Sequence, residues 1–348
     1  MINFCTLFDS NYLSRGLALH ASLQSVCPSF HLYVVAFDDA AYNYLANAGL
    51  PHLTPISLRE FEDPALLAVK KDRGVGEYCW TCTPSVILYC IRKYGLPSCT
   101  YVDADMVFYH DPQVLVDERG DRSIIISEHR YSDEYAKTGL ESGIYCVQFM
   151  YFANDDAGMT ALIWWRERCL EWCYDRLEDG KFGDQKYLDD WTERFRGVHV
   201  MQHPGGGLAP WNLQQYSFGI RENKLFVKTL SGGREYPAIF FHFHGLKFYT
   251  DGKASLCNVS YDIGRSVRKY VYVPYLKDLR QVGEGLDKQG LKANYHGARG
   301  PAPSTARIVM DFLIETGSAL RKRKVSPFRM KNYNFAHHYH IYKLNNLR

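Results

Sequence analysis

Tyr101-Val102-Asp103-Ala104-Asp105-Met106-Val107-Phe108 sets two carboxylates one residue apart between two apolar runs. In an extended segment, side chains at i and i+2 point the same way, so Asp103 and Asp105 face one spot at a strand end. Two carboxylates facing one spot repel unless a proton or a cation sits between them. A hard divalent ion with open positions for phosphate oxygens is the natural occupant. Read alone, the same pattern also describes a surface Asp-x-Asp capping a strand. The flanking pattern and residues far downstream bear on that choice.

On the N-terminal side, residues 2–7 read as a buried strand running into the polar turn Asp9-Ser10-Asn11-Tyr12. Residues 13–23 carry leucines at helical spacing. HLYVVAF, residues 31–37, is a second strand ending in Asp38 and Asp39; residues 40–48 read as a helix closed by Gly49, and residues 53–56 as a weak third strand. Residues 64–73 are polar and basic, residues 78–94 form a strong helix pattern closed by Gly95, and residues 99–102 lead into the opening stretch. Strands alternating with helices predict a mostly parallel sheet covered on both faces. Ligands of such sheets bind beyond the carboxyl ends of the strands. Asp9, Asp38 and Asp103 all fall at predicted strand ends, which fits one common rim.

On the C-terminal side, strands are expected at 123–127 and 142–152, and a long helix at 155–177 whose Trp164, Trp165 and Trp172 read as core. Gly183 is read as a stop and Asp184 as the start of a helix through Trp191. His203-Pro204-Gly205-Gly206-Gly207-Leu208-Ala209-Pro210-Trp211-Asn212 is rich in turn chemistry. Its three glycines either bring backbone amides close to a ligand or form a flexible loop. Neither the dinucleotide fingerprint nor a Walker A pattern is present. A hairpin is expected over 217–229, and AIFFHF, residues 238–243, reads as a buried strand. On it His242 and His244 share a face, followed by Gly245 and Lys247. Further on, residues 270–281 read as a helix, 282–303 as a loop or linker, and 306–320 as a second amphipathic helix.

The 348 residues suit one large or two moderate domains, and 46% hydrophobic content with 23% charged residues supplies a real core. A net charge of +3 over the whole chain implies no nucleic-acid partner. The C-terminal end is nonetheless basic, with Arg321-Lys322-Arg323-Lys324, later bases and interleaved aromatics. It reads either as a contact with an anionic membrane surface, at about 1 kcal/mol per basic residue, or as a solvated tail. The chain opens directly on a strand pattern, with no secretory signal. That predicts a cytoplasmic protein, peripheral at the inner membrane face if the tail binds there, with its 10 scattered cysteines reduced. Cys79-Trp80-Thr81-Cys82 has redox or zinc spacing, but no second pair completes a zinc set. No apolar run approaches the roughly 20 residues needed to span a bilayer.

The ordered set of Tyr-Val-Asp103-Ala104-Asp105, Gly183-Asp184-Gln185 and His242-Phe243-His244-Gly245 resembles the GT-A-fold nucleotide-sugar glycosyltransferases. The resemblance is closest to glycosyltransferase family eight, with its glycogenin and lipopolysaccharide galactosyltransferase relatives, and covers about residues 1–250. It implies an α/β fold with a Rossmann-like, mixed, mostly parallel sheet flanked by helices. Residues 1–258 would be the catalytic domain and 259–348 a helical, basic extension.

The same resemblance implies transfer of a hexose from a nucleotide-diphosphate sugar, a UDP-sugar by preference, to a glycan or lipid-linked acceptor, with retention. Asp103, Asp105 and His242 would bind Mn²⁺ or Mg²⁺, with His244 competing for the histidine role. Asp9, Tyr12, Ala104 and Gly245 would line the donor pocket. Lys247 would neutralise the leaving phosphate, and Asp184 and Gln185 would contact donor sugar or acceptor, Asp184 as an orienting group or a nucleophile. Two features depart from the family: Lys247 is followed by Phe248-Tyr249 instead of Pro-Trp, and Glu141-Ser142-Gly143-Ile144 with a Gln148-containing run replaces Asn-x-Gly-Val. The competing function classes are a non-catalytic nucleotide-sugar binder and a metal-dependent phosphohydrolase.

Overall fold

Apolar runs in the sequence pair chiefly with runs distant along the chain. The computed structural model describes residues 1–258, 261–291, 293–307, 309–310, 313–314 and 341–344. Its strands are β1 (Ile2–Phe8), β2 (Phe30–Ala36), β3 (Leu53–Ser57), β4 (Ser98–Val102), β5 (Met106–Phe108), β6 (Ile124–Glu128), β7 (Tyr145–Ala153) and β8 (Val198–Val200). They continue with β9 (Tyr216–Arg221), β10 (Lys224–Thr229), β11 (Glu235–Pro237), β12 (Phe240–His242), β13 (Lys247–Tyr249), β14 (Lys253–Ser255) and β15 (Ile341–Lys343). The central sheet has seven strands in the order β3-β2-β1-β4-β7-β6-β8. Neighbours from β3 to β4 run parallel, as do β6 and β8, whereas β7 is antiparallel to both of its neighbours. The expected α/β class, a mixed and mostly parallel sheet flanked by helices, is therefore what the chain adopts.

Helices cover both faces, which explains why β1, β4 and β7 are buried along nearly their whole length instead of on alternate residues. One face packs on the helices Val75–Tyr94 and Asp156–Glu171, with Trp165 and Trp191 fully buried. The other packs on Leu13–Val26, where Phe4, Phe108 and Phe240 meet. A third cluster joins Phe241 and Phe243 to Tyr272, Tyr275, Leu276 and Leu279 of the C-terminal segment. The Phe243 and Tyr275 rings stack at 3.7 Å between centroids.

Several local readings change. The opening stretch is not one strand: β4 stops at Val102, and the Met106 amide donates to the Asp103 carbonyl at 3.2 Å, closing a turn before β5. The basic segment after Asp63 is a helix, Pro64–Lys70, because the Asp63 carboxylate caps it. The helix expected at 155–177 ends at Glu171, with Asp155 as its N-cap. Asp184 starts no long helix; a 3-10 turn, Lys186–Leu188, and one short turn, Trp191–Arg194, follow. The strand expected from 142 begins at Tyr145, after a helical turn over Thr138–Ser142. The helix expected to stop near 281 runs from Val273 to Lys288. There Leu286 is buried and Gly283 lets the rings of Tyr295 and His296 approach, so packing overrides two helix glycines.

The helix expected at 306–320 and the basic tail lie largely outside the described residues. Among those described, no helix is long and apolar enough to cross a membrane.

Candidate functional site

The carboxyl ends of β1, β2 and β4 lie on one rim because the three strands are parallel. They deliver Asp9, Asp38 and Asp103 to that rim. Asp38 accepts from the amide and hydroxyl of Ser10 at 2.9 and 2.7 Å, and Asp9 caps the turn over Ser10–Tyr12 through the Asn11 amide. Both carboxylates thus shape the turn that presents the exposed ring of Tyr12. Tyr12 lies within electrostatic reach of Asp105 and Asp103, and burial of its hydroxyl together with those charges raises its pKa.

His242 arrives from the other end of the sequence. β12 pairs antiparallel with β5, and the register sets His242 opposite Met106, directly after Asp105. The His242 Nε2 lies 3.2 Å from Asp105 Oδ1 and 3.6 Å from Asp103 Oδ2. The ligating atoms of Asp103, Asp105 and His242 all lie within 4.8 Å of one another. The Phe243 amide donates to the Asp105 carbonyl at 2.9 Å, locking the two segments together. Among the described residues one other trio is as close, Cys5, Cys90 and Cys99, but it is sealed in the core beneath the sheet.

The charges interlock. Burial opposes the ionised form of all three groups. For His242 the charges of Asp105 and Asp103 outweigh burial and raise its pKa well above the usual value. For Asp105, burial is outweighed by His242, which lowers its pKa to about 2. For Asp103, burial and the Asp105 charge prevail over His242, and its pKa is raised. Two carboxylates and an imidazole are a donor set that fits Mn²⁺, and fits Mg²⁺ less well because that ion favours oxygen alone.

Two residues hold His242 in place. Its Nδ1 lies 3.0 Å from Gln148 Oε1, and the carbonyl of the same Gln148 accepts from the Asp103 amide at 3.3 Å. Gln148 is fully buried on β7 and its Nε2 has no partner among the described residues. The Trp211 indole meets the His242 ring edge-on at 5.5 Å. His244 is exposed, lies 5.6 Å from His242 between ring centroids, and stands outside the acid cluster. Gly245 makes the turn that follows, with φ +78. Lys247 opens β13 on the exposed side, within electrostatic reach of His244. Ala104 is buried in the turn between the two acids.

Asp184 lies within electrostatic reach of Asp103. It is 5% exposed, its backbone carbonyl accepts from the Trp165 indole at 2.9 Å, and the Thr83 hydroxyl lies against its carboxyl. Burial first, then the charge of Asp103, push its pKa up to about 8. Gln185 is differently employed: its amide donates to the Ser142 carbonyl at 2.7 Å. Asp189 accepts from the Ile144 amide at 2.7 Å, so this acidic segment is tied to residues 142–144 at both ends.

The triple glycine is not a ligand cradle. Gly205, Gly206 and Gly207 are buried, and a Cβ on each would collide with the Pro237 carbonyl, Met201 and Arg130 respectively. The glycines serve close backbone approach to the β11–β12 connection, where Ile239 donates to Gly205 at 2.8 Å. Asn212 ties the same loop to the His129 and Gly207 carbonyls. Cys79 and Cys82 carry free thiols, Cys82 in the core.

Sequence reasoning passed over Gln148, Arg15, Thr83 and Trp211 as site residues. Gln148 had a signal, since it is the one polar residue in the run YCVQFMYF. Arg15 is a buried base on a helix face that is otherwise apolar or small.

No known family profile matches the chain. It is 31% identical over 251 residues to the uncharacterized protein YfnF of Bacillus subtilis, covering 70% of this chain and 81% of that one. It is 29% identical over 282 residues to the uncharacterized protein YfnD of the same organism, covering 80% and 89%. The chain belongs to the family of YfnF. Among solved structures, the galactosyltransferase LgtC in complex with donor and acceptor sugar analogues aligns at 13% identity and a TM-score of 0.49, covering 80% of this chain and 96% of that one.

Proposed function

We propose that the protein is a metal-dependent glycosyltransferase that moves a hexose from a nucleotide-diphosphate sugar, a UDP-sugar by preference, to a saccharide acceptor with retention of configuration. The observation that carries this reading is the meeting of Asp103, Asp105 and His242 at the carboxyl rim of the parallel strands, with buried Asp184 within electrostatic reach of Asp103. A bound Mn²⁺ would supply Lewis acidity to the departing diphosphate. Asp103, Asp105 and His242 would hold it, with Gln148 and Trp211 fixing the imidazole.

The chain's own residues account for the remaining roles. Tyr12 offers a ring for the nucleoside side of the donor, and Lys247 a mobile point cation for the leaving phosphate. Asp184, held largely neutral by burial, can donate to as well as accept from sugar hydroxyls, which suits an orienting role better than a nucleophilic one. In the transfer the bond from the sugar C1 to the phosphate oxygen breaks and a bond from C1 to the acceptor oxygen forms on the same face. The acceptor proton passes to the departing phosphate, and a nucleoside diphosphate is released. Stabilising charge on that leaving group is then the dominant contribution of the site.

Incubation of the protein with Mn²⁺ and a panel of UDP-hexoses tests the reading. Slow hydrolysis with UDP release, accelerated by a suitable saccharide, is the expected outcome. Tight binding with neither hydrolysis nor transfer would make the protein a nucleotide-sugar binder instead.

A further inference from the structure

Arg15 is 2% exposed, and among the described residues no carboxylate pairs with it. Its Nη1 donates to the His296 carbonyl at 3.0 Å and its Nη2 to the Leu246 carbonyl at 3.1 Å, while Nε has no partner among the described residues. The guanidinium lies 4.4 Å from the Tyr12 ring centre and 5.3 Å from that of Phe248. An arginine does not shed its proton in a protein, so the charge persists wherever it is buried. Two carbonyl dipoles and two ring faces compensate it in part, and a buried charge without a counter-ion is costly. Asp105 is within electrostatic reach, but its charge is engaged by His242.

The His296 carbonyl belongs to a segment that lies across the donor turn. The Ser14 amide donates to the Tyr295 carbonyl at 3.0 Å, and His296 Nδ1 lies 2.8 Å from the Ser14 hydroxyl. A Cβ on Gly297 would stand 3.0 Å from the Asn11 carbonyl. His296 stacks on Phe248 at 4.6 Å and 16°, and the Thr250 amide donates to Gly300 at 2.8 Å. Residues 294–300 thus run from the Asn11-Tyr12 turn to the strand that begins with Lys247.

Resting on the glycosyltransferase reading above, we propose that residues 294–300 are a wall of the donor site. Arg15 is the positioning residue that latches this wall to the nucleotide turn, and its buried charge takes the donor's diphosphate as counter-ion. The chain beyond residue 258 then contributes directly to donor binding. Lysine at position 15 keeps the charge but not the two-carbonyl fork; methionine keeps neither.

The test uses the full chain with Mn²⁺ and compares wild type with Arg15→Met, Arg15→Lys and His296→Ala. Affinity for UDP is measured by calorimetry, affinity for uridine by ligand-observed NMR, and opening of residues 294–300 by hydrogen exchange. Arg15→Met is expected to lose at least tenfold in UDP affinity with a much smaller loss for uridine. Arg15→Lys is expected to recover most of the UDP preference while residues 294–300 exchange faster than in wild type. His296→Ala is expected to speed that exchange without altering the UDP preference. Equal losses for UDP and uridine in Arg15→Met, or wild-type UDP affinity in that variant, would overturn the counter-ion role. Unchanged exchange of 294–300 in Arg15→Met and Arg15→Lys would overturn the latch. A wild-type chain that binds no UDP would overturn the donor-site reading itself; it is told apart because the exchange response to Arg15→Lys needs no nucleotide.

Discussion

Replacing Asp184 by asparagine should make the metal-free protein more stable and the Mn²⁺-loaded protein less active. The fold raises the pKa of this carboxyl from 3.8 to about 8, through burial first and the Asp103 charge second. A carboxyl whose pKa is raised on folding stabilises the fold fully below its unfolded pKa, and that contribution is lost as pH rises towards the folded value. At pH 6 the unfolded chain has released the proton and the fold has kept it. The difference is about 2 pKa units, or roughly 3 kcal/mol at 1.36 kcal/mol per unit. At pH 7 it reaches roughly 4 kcal/mol by the same conversion. An asparagine side chain has no proton to release, so this pH-dependent penalty disappears in the variant. Urea unfolding of both proteins in chelator, at intervals from pH 5 to 8, reads the difference directly. The stability gap in favour of Asp184→Asn should widen by about 1.4 kcal/mol per pH unit and level off near pH 8. A gap that does not change with pH would mean that Asp184 ionises normally, and the neutral orienting role would fall.

Other perturbations separate the remaining roles. Gln148→Leu should weaken Mn²⁺ binding by about 10- to 100-fold, as expected when a residue orienting a metal-binding histidine is lost; electron paramagnetic resonance of free Mn²⁺ reads this, and unchanged affinity would remove Gln148 from the site. His242→Ala should abolish Mn²⁺ binding, whereas His244→Ala should leave it within the factor of ten that about 1.4 kcal/mol represents; the reverse pattern would exchange the two histidines. A chain ending at residue 258 should not unfold cooperatively, because it lacks Tyr272, Tyr275, Leu276 and Leu279, each at most 1% exposed. At about 1.5–3 kcal/mol for each side chain, the loss rivals a whole domain's 5–15 kcal/mol. A sharp thermal transition in that fragment would refute this.

The alternation of strand and helix was readable because it is written in local apolar runs, and it led to the mixed sheet. The convergence of Asp103 with Asp105 was also local, although a turn and not strand alternation brings them together. His242 is different in kind. Its place depends on the β12–β5 register, a pairing over more than 130 residues that spacing cannot reveal; the resemblance to a known family pointed to it. Gln148 and Arg15 stayed hidden because their significance lies in partners 94 and 281 residues away. The glycines at 205–207 misled for a physical reason: close backbone approach to a neighbouring strand and close approach to a ligand call for the same residue. The helix end near Lys288 was lost because two glycines lower its propensity while Leu286 and the Tyr295-His296 pair hold it from outside.

In the proposed function, Asp103, Asp105 and His242 hold a divalent ion which in turn holds a nucleotide diphosphate. Calorimetric titration of UDP into wild type and Asp105→Asn, each with Mn²⁺ and with chelator, tests it most directly. Wild type should bind UDP far more tightly with Mn²⁺ than with chelator, and Asp105→Asn should lose that difference. Equal UDP affinity with and without Mn²⁺ in wild type, or an undiminished Mn²⁺ effect in Asp105→Asn, would contradict the account.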